Sequence, residues 1–237
     1  MARHNPAMDI LDSLRSALAP PHRAGYPFIA IGVILLILGL IFAGWLAWIG
    51  LIITLFCLYF FRDPERVPPP RPDAFIAPAD GRVVLVDEAI PPAELGLAAA
   101  PVPRVAIFLS VLDVHVNRIP MAGTVTRIAY RHGSFVNAAA KESEQNERNA
   151  VAIRLDSGAE IAVVQIAGLI ARRILCHIHE GDRVITGARF GIIRFGSRTD
   201  LYLPPGTAPL VTVGQRMVGG ETVLANLAPF PYTGTTP

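Results

Sequence analysis

Apolar positions follow two different rhythms along the chain. Residues 28–61 form an unbroken apolar run without a charged side chain. At ~1.5 Å per helical residue this run is too long for one upright helix across a ~30 Å hydrocarbon core. It predicts either one long tilted helix or two short ones, with Gly39 and Gly44 marking a turn and Trp45 and Trp48 near an interface. From about Phe75 the pattern changes to that of strands. Residues 82–87, 105–110, 124–130, 150–155 and 160–165 all have strand chemistry. Asp156-Ser157-Gly158 is a hairpin signal between the last two. Residues 138–148 form the one clear polar helix candidate, with a loop as the alternative. Prolines crowd residues 64–72, which predicts a stiff, extended linker holding the next domain at a set distance from a bilayer. The expected organisation is a polar arm (1–25), a helical membrane hairpin (26–61), a Pro-rich linker (62–74) and a mainly β (α+β) domain (75–237).

Composition sharpens the first half of that picture. The hydrophobic content is 52% and the mean hydropathy +0.44, too high for an ordinary soluble domain. The excess sits in residues 28–61. Arg3, Arg15 and Arg23 precede the run, and Arg62, Arg66 and Arg71 follow it. Cations at both ends place both termini on the cytoplasmic side of the cell (inner) membrane. The run is far longer than a signal-peptide core; a buried core hairpin is the alternative. The net charge is +2 and the chain has no Lys/Arg block, so a nucleic-acid partner is not expected. The slight positive excess suits an anionic membrane surface. Cys57 and Cys176 are not expected to pair, consistent with a reducing compartment.

Late in the chain, Gly196-Ser197 stands between two short apolar segments, residues 190–195 and 199–204. Alone it is a turn. Glycine permits unusual backbone angles there. The serine hydroxyl lies within reach of the preceding carbonyl, and strain at such a corner would promote an N→O acyl shift that cuts the chain. Lys141 is the single lysine, and it lies in a polar segment. A pyridoxal site is therefore not expected, and no Gly-rich nucleotide loop is present. Cys176-His177-Ile178-His179 has His-x-His spacing, but a third ligand is not evident, so no metal is expected. Gly181-Asp182-Arg183-Val184 with Gly187 and Gly191 has the turn-and-strand spacing of carrier-type sandwiches. No modifiable lysine sits at the turn; the spacing supports a barrel-sandwich type of β fold.

Four segments, in order, carry a family resemblance. They are Ala77-Pro78-Ala79-Asp80-Gly81-Arg82-Val83-Val84, then Leu112-Asp113-Val114-His115-Val116-Asn117-Arg118-Ile119-Pro120. Residues 165–174 follow, and last comes Arg194-Phe195-Gly196-Ser197-Arg198-Thr199-Asp200. Across roughly residues 60–228 the chain resembles phosphatidylserine decarboxylases of the short bacterial and archaeal type. The resemblance implies self-cleavage between Gly196 and Ser197 into β and α chains, leaving a pyruvoyl group derived from Ser197. That group would form a Schiff base with phosphatidylserine, release CO₂ and give phosphatidylethanolamine. It also implies His115 in proton transfer and Asp80 as a partner in self-cleavage.

One position departs from the pattern. Longer members carry a second histidine where this chain has Arg118, and arginine cannot act as a base. Arg118 is instead a candidate ligand of the lipid phosphate or serine carboxylate. The base that activates Ser197 is left open, with His115 a candidate for both steps. Two alternatives stand beside this reading: a membrane-tethered β-sandwich adaptor without enzymatic activity, and a pyruvoyl decarboxylase of a soluble amino acid. A homo-oligomer is compatible with the sequence.

Overall fold

The computed structural model describes residues 19–133, 146–168, 173–194 and 197–227. The chain divides into two compact units, residues 1–65 and 66–237.

In the first unit the apolar run forms two helices, α1 (Tyr26–Phe42) and α2 (Gly44–Phe60). Ala43 is extended (φ −160°, ψ 105°) and breaks the run between them. Gly39, expected at the turn, lies inside α1 instead. A Cβ on it would stand 2.0 Å from the Ala47 backbone nitrogen, so the absence of a side chain is what lets the helices touch. Gly50 does the same against Leu36. The segments flanking the pair meet as well: the His22 amide donates to the Phe61 carbonyl at 2.6 Å. Arg23–Phe42 is long and apolar enough to cross a membrane, and Gly44–Phe60 is a shorter apolar helix. Leu40, Phe42, Trp45 and Trp48 all point outward.

The second unit is almost entirely β. Its strands are β1 (Ala74–Ile76), β2 (Gly81–Ala89), β3 (Val102–Leu109), β4 (Val116–Arg118), β5 (Gly123–Arg131), β6 (Arg148–Leu155) and β7 (Glu160–Ala167). They continue with β8 (Ile174–Cys176), β9 (Arg183–Val184), β10 (Arg189–Ile193), β11 (Ser197–Tyr202), β12 (Arg216–Met217) and β13 (Val223–Asn226). All five strands expected between residues 82 and 165 are present. Of the expected helix over 138–148, residues 138–145 lie outside the described residues. Its last residue, Arg148, opens β6, because its backbone pairs with Arg131 and Ile166 on either side.

Eight strands make one antiparallel sheet in the order β12-β2-β3-β11-β7-β6-β5-β9, while β4-β10-β8 and β1-β13 form smaller sheets. One apolar cluster takes Val83 and Ile107 from one side of the large sheet, and Val125 and Ile153 from the other. It also takes Phe75 from β1 and Phe190 from β10. A single core can gather residues from all three sheets only if the large one curls around it. Bulges in β2 (Val83/Leu85) and β5 (Val125/Arg127) assist that curl. The result is the mainly β, half-barrel architecture that the strand-rich pattern implies.

Strand β11 lies at the centre. Each of its residues pairs with β3 on one side and β7 on the other. Alternation sends Leu201 into the core and Tyr202 to a second apolar cluster on the outer face. Arg198 and Asp200 share that outer face. They are buried and joined as a fork, with Nε to Oδ1 at 2.8 Å and Nη2 to Oδ2 at 2.9 Å. Arg104 adds a contact to Asp200 at 3.6 Å. Burial pushes the Asp200 carboxyl up, and the two guanidinium groups pull against it.

The linker does not stand off as a spacer along its whole length. Arg66 reaches Asp80 at 2.9 Å, and the Val67 amide donates to Glu221 at 3.1 Å, so residues 66–67 lie against the β unit. A charge pair with a mostly buried carboxylate holds it there.

Candidate active site

Ser197 opens β11 rather than sitting at the tip of a turn. Its backbone pairs with Leu109 and Ala167. Phe195 and Gly196 lie outside the described residues. β10 ends at Ile193 in the three-stranded sheet, and β11 begins at Ser197 in the centre of the large one. The serine hydroxyl is buried and makes no hydrogen bond among the described residues. A buried, unsatisfied hydroxyl is costly, so it marks a reactive position better than a structural one.

The same crossing brings His115 to the corner. The Ile193 amide, at the end of β10, donates to the His115 carbonyl at 3.3 Å. Ile192 pairs with Val116 and Gly191 with Asn117, so moving back along β4 moves toward the corner. The His115 ring is fully buried, with Nδ1 2.9 Å from the Asp113 carbonyl oxygen. A carbonyl only accepts, so Nδ1 carries the proton in the neutral ring and Nε2 carries the basic lone pair. Nε2 is thus the atom able to take a proton.

A buried amide row ties these two approaches together. Asn149 Nδ2 donates to Gln165 Oε1 at 2.9 Å, Gln165 Nε2 to Asn117 Oδ1 at 2.7 Å, and Asn117 Nδ2 to Thr199 Oγ1 at 3.3 Å. All four side chains are buried. Two residues back from Asn117 is His115, and two residues back from Thr199 is Ser197. Period-two alternation keeps Ser197 and Thr199 on one face. The row therefore fixes the spacing between the strand of Ser197 and the strand that follows His115. Gly191 leaves room for it: a Cβ there would stand 2.8 Å from Gln165 Nε2. The sequence pattern alone assigns none of these four a role. The available signal was a polar residue at the inward position of an apolar strand, as in Gln165. Gln165→Leu should strand Asn149 and Asn117 in the interior and lower stability by about 1–3 kcal/mol per unpaired group, seen as a drop in thermal midpoint together with slower chain cutting.

Asp80 lies at the same end of the sheet, two strands from Ser197. It precedes Gly81, whose φ of 144° and close approach to the Phe108 carbonyl admit no side chain. Its carboxylate accepts from the Gly219 amide at 2.7 Å and from Arg66 at 2.9 Å. Arg118 is buried, with Nη1 on the Gly187 carbonyl at 3.0 Å and its backbone amide on Pro78. The structure thus ties His115 to the end of β10, and Arg118 to the 77–80 segment. At the approach to the corner, the Arg194 amide bonds the Arg173 carbonyl at 3.3 Å. Burial, then the neighbouring Arg173 charge, hold the Arg194 guanidinium below its ordinary value. Among the described residues, no three His, Cys, Asp or Glu side chains are grouped to hold a metal ion.

The pattern of the phosphatidylserine decarboxylase family matches residues 53–225. The chain belongs to that family. It is 63% identical over 223 residues to a protein of Granulibacter bethesdensis, covering 94% of this chain and 91% of the relative. A protein of Gluconobacter oxydans is 58% identical, with 93% and 100% covered, and one of Cereibacter sphaeroides is 56% identical, with 92% and 94% covered. Each bears the name phosphatidylserine decarboxylase proenzyme. The family match spans β1 through β12 and most of β13, and so includes every strand that bears on the corner.

Proposed function

We propose that this chain is a membrane-anchored phosphatidylserine decarboxylase. It cuts itself before Ser197 and converts phosphatidylserine to phosphatidylethanolamine and CO₂. The observation that carries this reading is the buried Ser197 hydroxyl with no hydrogen bond among the described residues, placed where two sheets exchange the chain. The relatives' shared name, with its word proenzyme, supports both the substrate and the processing.

The cut is internal acyl transfer. Ser197 Oγ attacks the Gly196 carbonyl carbon, the C–N bond breaks and the acyl group moves to oxygen. Loss of the Ser197 α-proton then expels the Gly196 carboxylate and leaves dehydroalanine. Water replaces its nitrogen, ammonia departs, and a pyruvoyl group remains at the new chain end. A pyruvoyl ketone supplies, by condensing with the substrate amine, the electron sink that decarboxylation needs. The residues present fit such a group. Ser197 already stands in a water-poor position, and the His115 Nε2 lone pair at the same corner can accept and return a proton. Asp80 is proposed to assist the cut by holding the 77–80 segment against the Gly219 turn. Arg118 puts a buried positive charge behind that segment, suited to a phosphate or carboxylate. The apolar helix pair is proposed to anchor the chain in the inner membrane, with the β unit on the cytoplasmic side.

The test is denaturing mass spectrometry of the purified, active protein, alongside CO₂ release from phosphatidylserine. Two fragments, residues 1–196 and 197–237, are expected, the smaller one blocked at its first residue and the activity lost on borohydride treatment. An active, continuous chain would overturn the proposal.

A further inference from the structure

We propose that the loop of residues 110–113, at the Ser197 end of the large sheet, is a wedge that seats the β unit on an anionic phospholipid surface. This deepens the decarboxylase reading and rests on it, because the headgroup of phosphatidylserine has to be taken from a bilayer.

The loop leaves β3 just after Leu109, the partner of Ser197, and leads directly to His115. Its ends are locked together. Asp113 Oδ2 accepts from the Ser110 amide at 2.9 Å and the Ser110 hydroxyl at 2.8 Å, and the Asp113 amide returns to the Ser110 carbonyl at 2.9 Å. With its polar ends satisfied, the turn holds Val111 and Leu112 outward, and Leu112 is 61% exposed. One exposed leucine is ordinary on a protein surface. The neighbours give this one meaning. Arg216 touches Asp113 at 3.2 Å, yet its side chain is 70% exposed. Arg82, its cross-strand partner, is also exposed, and its Nη1 donates to the Gly214 carbonyl rather than to a carboxylate. Val213, next to Gly214, is exposed too.

The rim thus presents two exposed guanidinium groups around apolar tips. The carboxylate among them, Asp113, is turned inward onto Ser110 and Arg216. Cations flanking an apolar tip match the layering of an anionic bilayer, with phosphates outside and acyl chains beneath. An acidic protein surface would engage the arginines but offer no apolar layer to the exposed Val111 and Leu112 side chains.

The test uses the full-length processed protein and two forms of substrate. One is phosphatidylserine in phosphatidylcholine vesicles with graded phosphatidylglycerol, and the other is short-chain phosphatidylserine dispersed as monomers. The double variant Val111→Ser/Leu112→Ser should lose about tenfold in vesicle turnover while monomer turnover stays within about twofold. Arg82→Gln should flatten the dependence on phosphatidylglycerol and on salt. Leu112→Trp, which preserves an apolar tip, should retain vesicle turnover. Equal losses on both substrates would make the loop a structural element and overturn the proposal. Unchanged vesicle turnover in the double variant would overturn it as well, and an Arg82→Gln defect alone would point to an acidic protein partner instead. Inactivity of the wild-type chain on both forms of phosphatidylserine would overturn the decarboxylase reading itself, so the two failures are separable.

Discussion

Ser197→Ala should yield a single uncut chain of 237 residues with no decarboxylase activity. In the proposed route the hydroxyl is the nucleophile of the cut and its carbon skeleton the source of the ketone, so one methyl-for-hydroxymethyl change removes both functions. The fold should survive. Ser197 hydrogen-bonds its neighbours through the backbone, in register with Leu109 and Ala167, and alanine keeps that ladder. Removing a buried hydroxyl that has no described partner also relieves a cost rather than adding one. The measurement is intact mass together with thermal unfolding. An unchanged midpoint with a single uncut mass is the expected pair, and a cut alanine variant would show that another residue supplies the nucleophile.

His115→Asn should lower turnover by about 10²–10⁴-fold, the range typical of a lost proton-transfer group. Asparagine keeps a donor near the Asp113 carbonyl, so the 110–115 loop should hold its shape. The variant also separates the two steps proposed for this side chain. Normal cutting with lost turnover would confine His115 to decarboxylation. Loss of both would make Nε2 the base for the Ser197 hydroxyl, which would answer how the chain manages with Arg118 at the second histidine position. Full activity with full cutting would remove His115 from the chemistry.

Much of this architecture is written in local pattern. The break at Ala43, one residue from Gly44, follows from a run too long for one helix. The five inner strands follow from β-branched runs bounded by turn residues. Other features depend on contacts distant in sequence, which periodicity does not report. Gly39 has the look of a turn residue, yet its role is to let the Ala47 backbone approach. Asn117, Gln165, Asn149 and Thr199 come from four separate strands, and only the curl of the sheet makes them one row. Arg118 reads as a substrate ligand by its motif, whereas the structure shows one of its N–H groups already on the Gly187 carbonyl. The prolines after residue 64 suggested a spacer. Asp80, which anchors Arg66 from fourteen positions away, is invisible to composition.

The strand that begins at Ser197 sits between two neighbours along its entire length, with the Arg198–Asp200 fork sealed behind it. A severed piece beginning there would still be stitched into the middle of the sheet, so the two fragments should travel, melt and sediment as one body. It also sets the order of events at birth. Without that middle strand the sheet would fall into two halves, so in the proposed route assembly comes first and scission second.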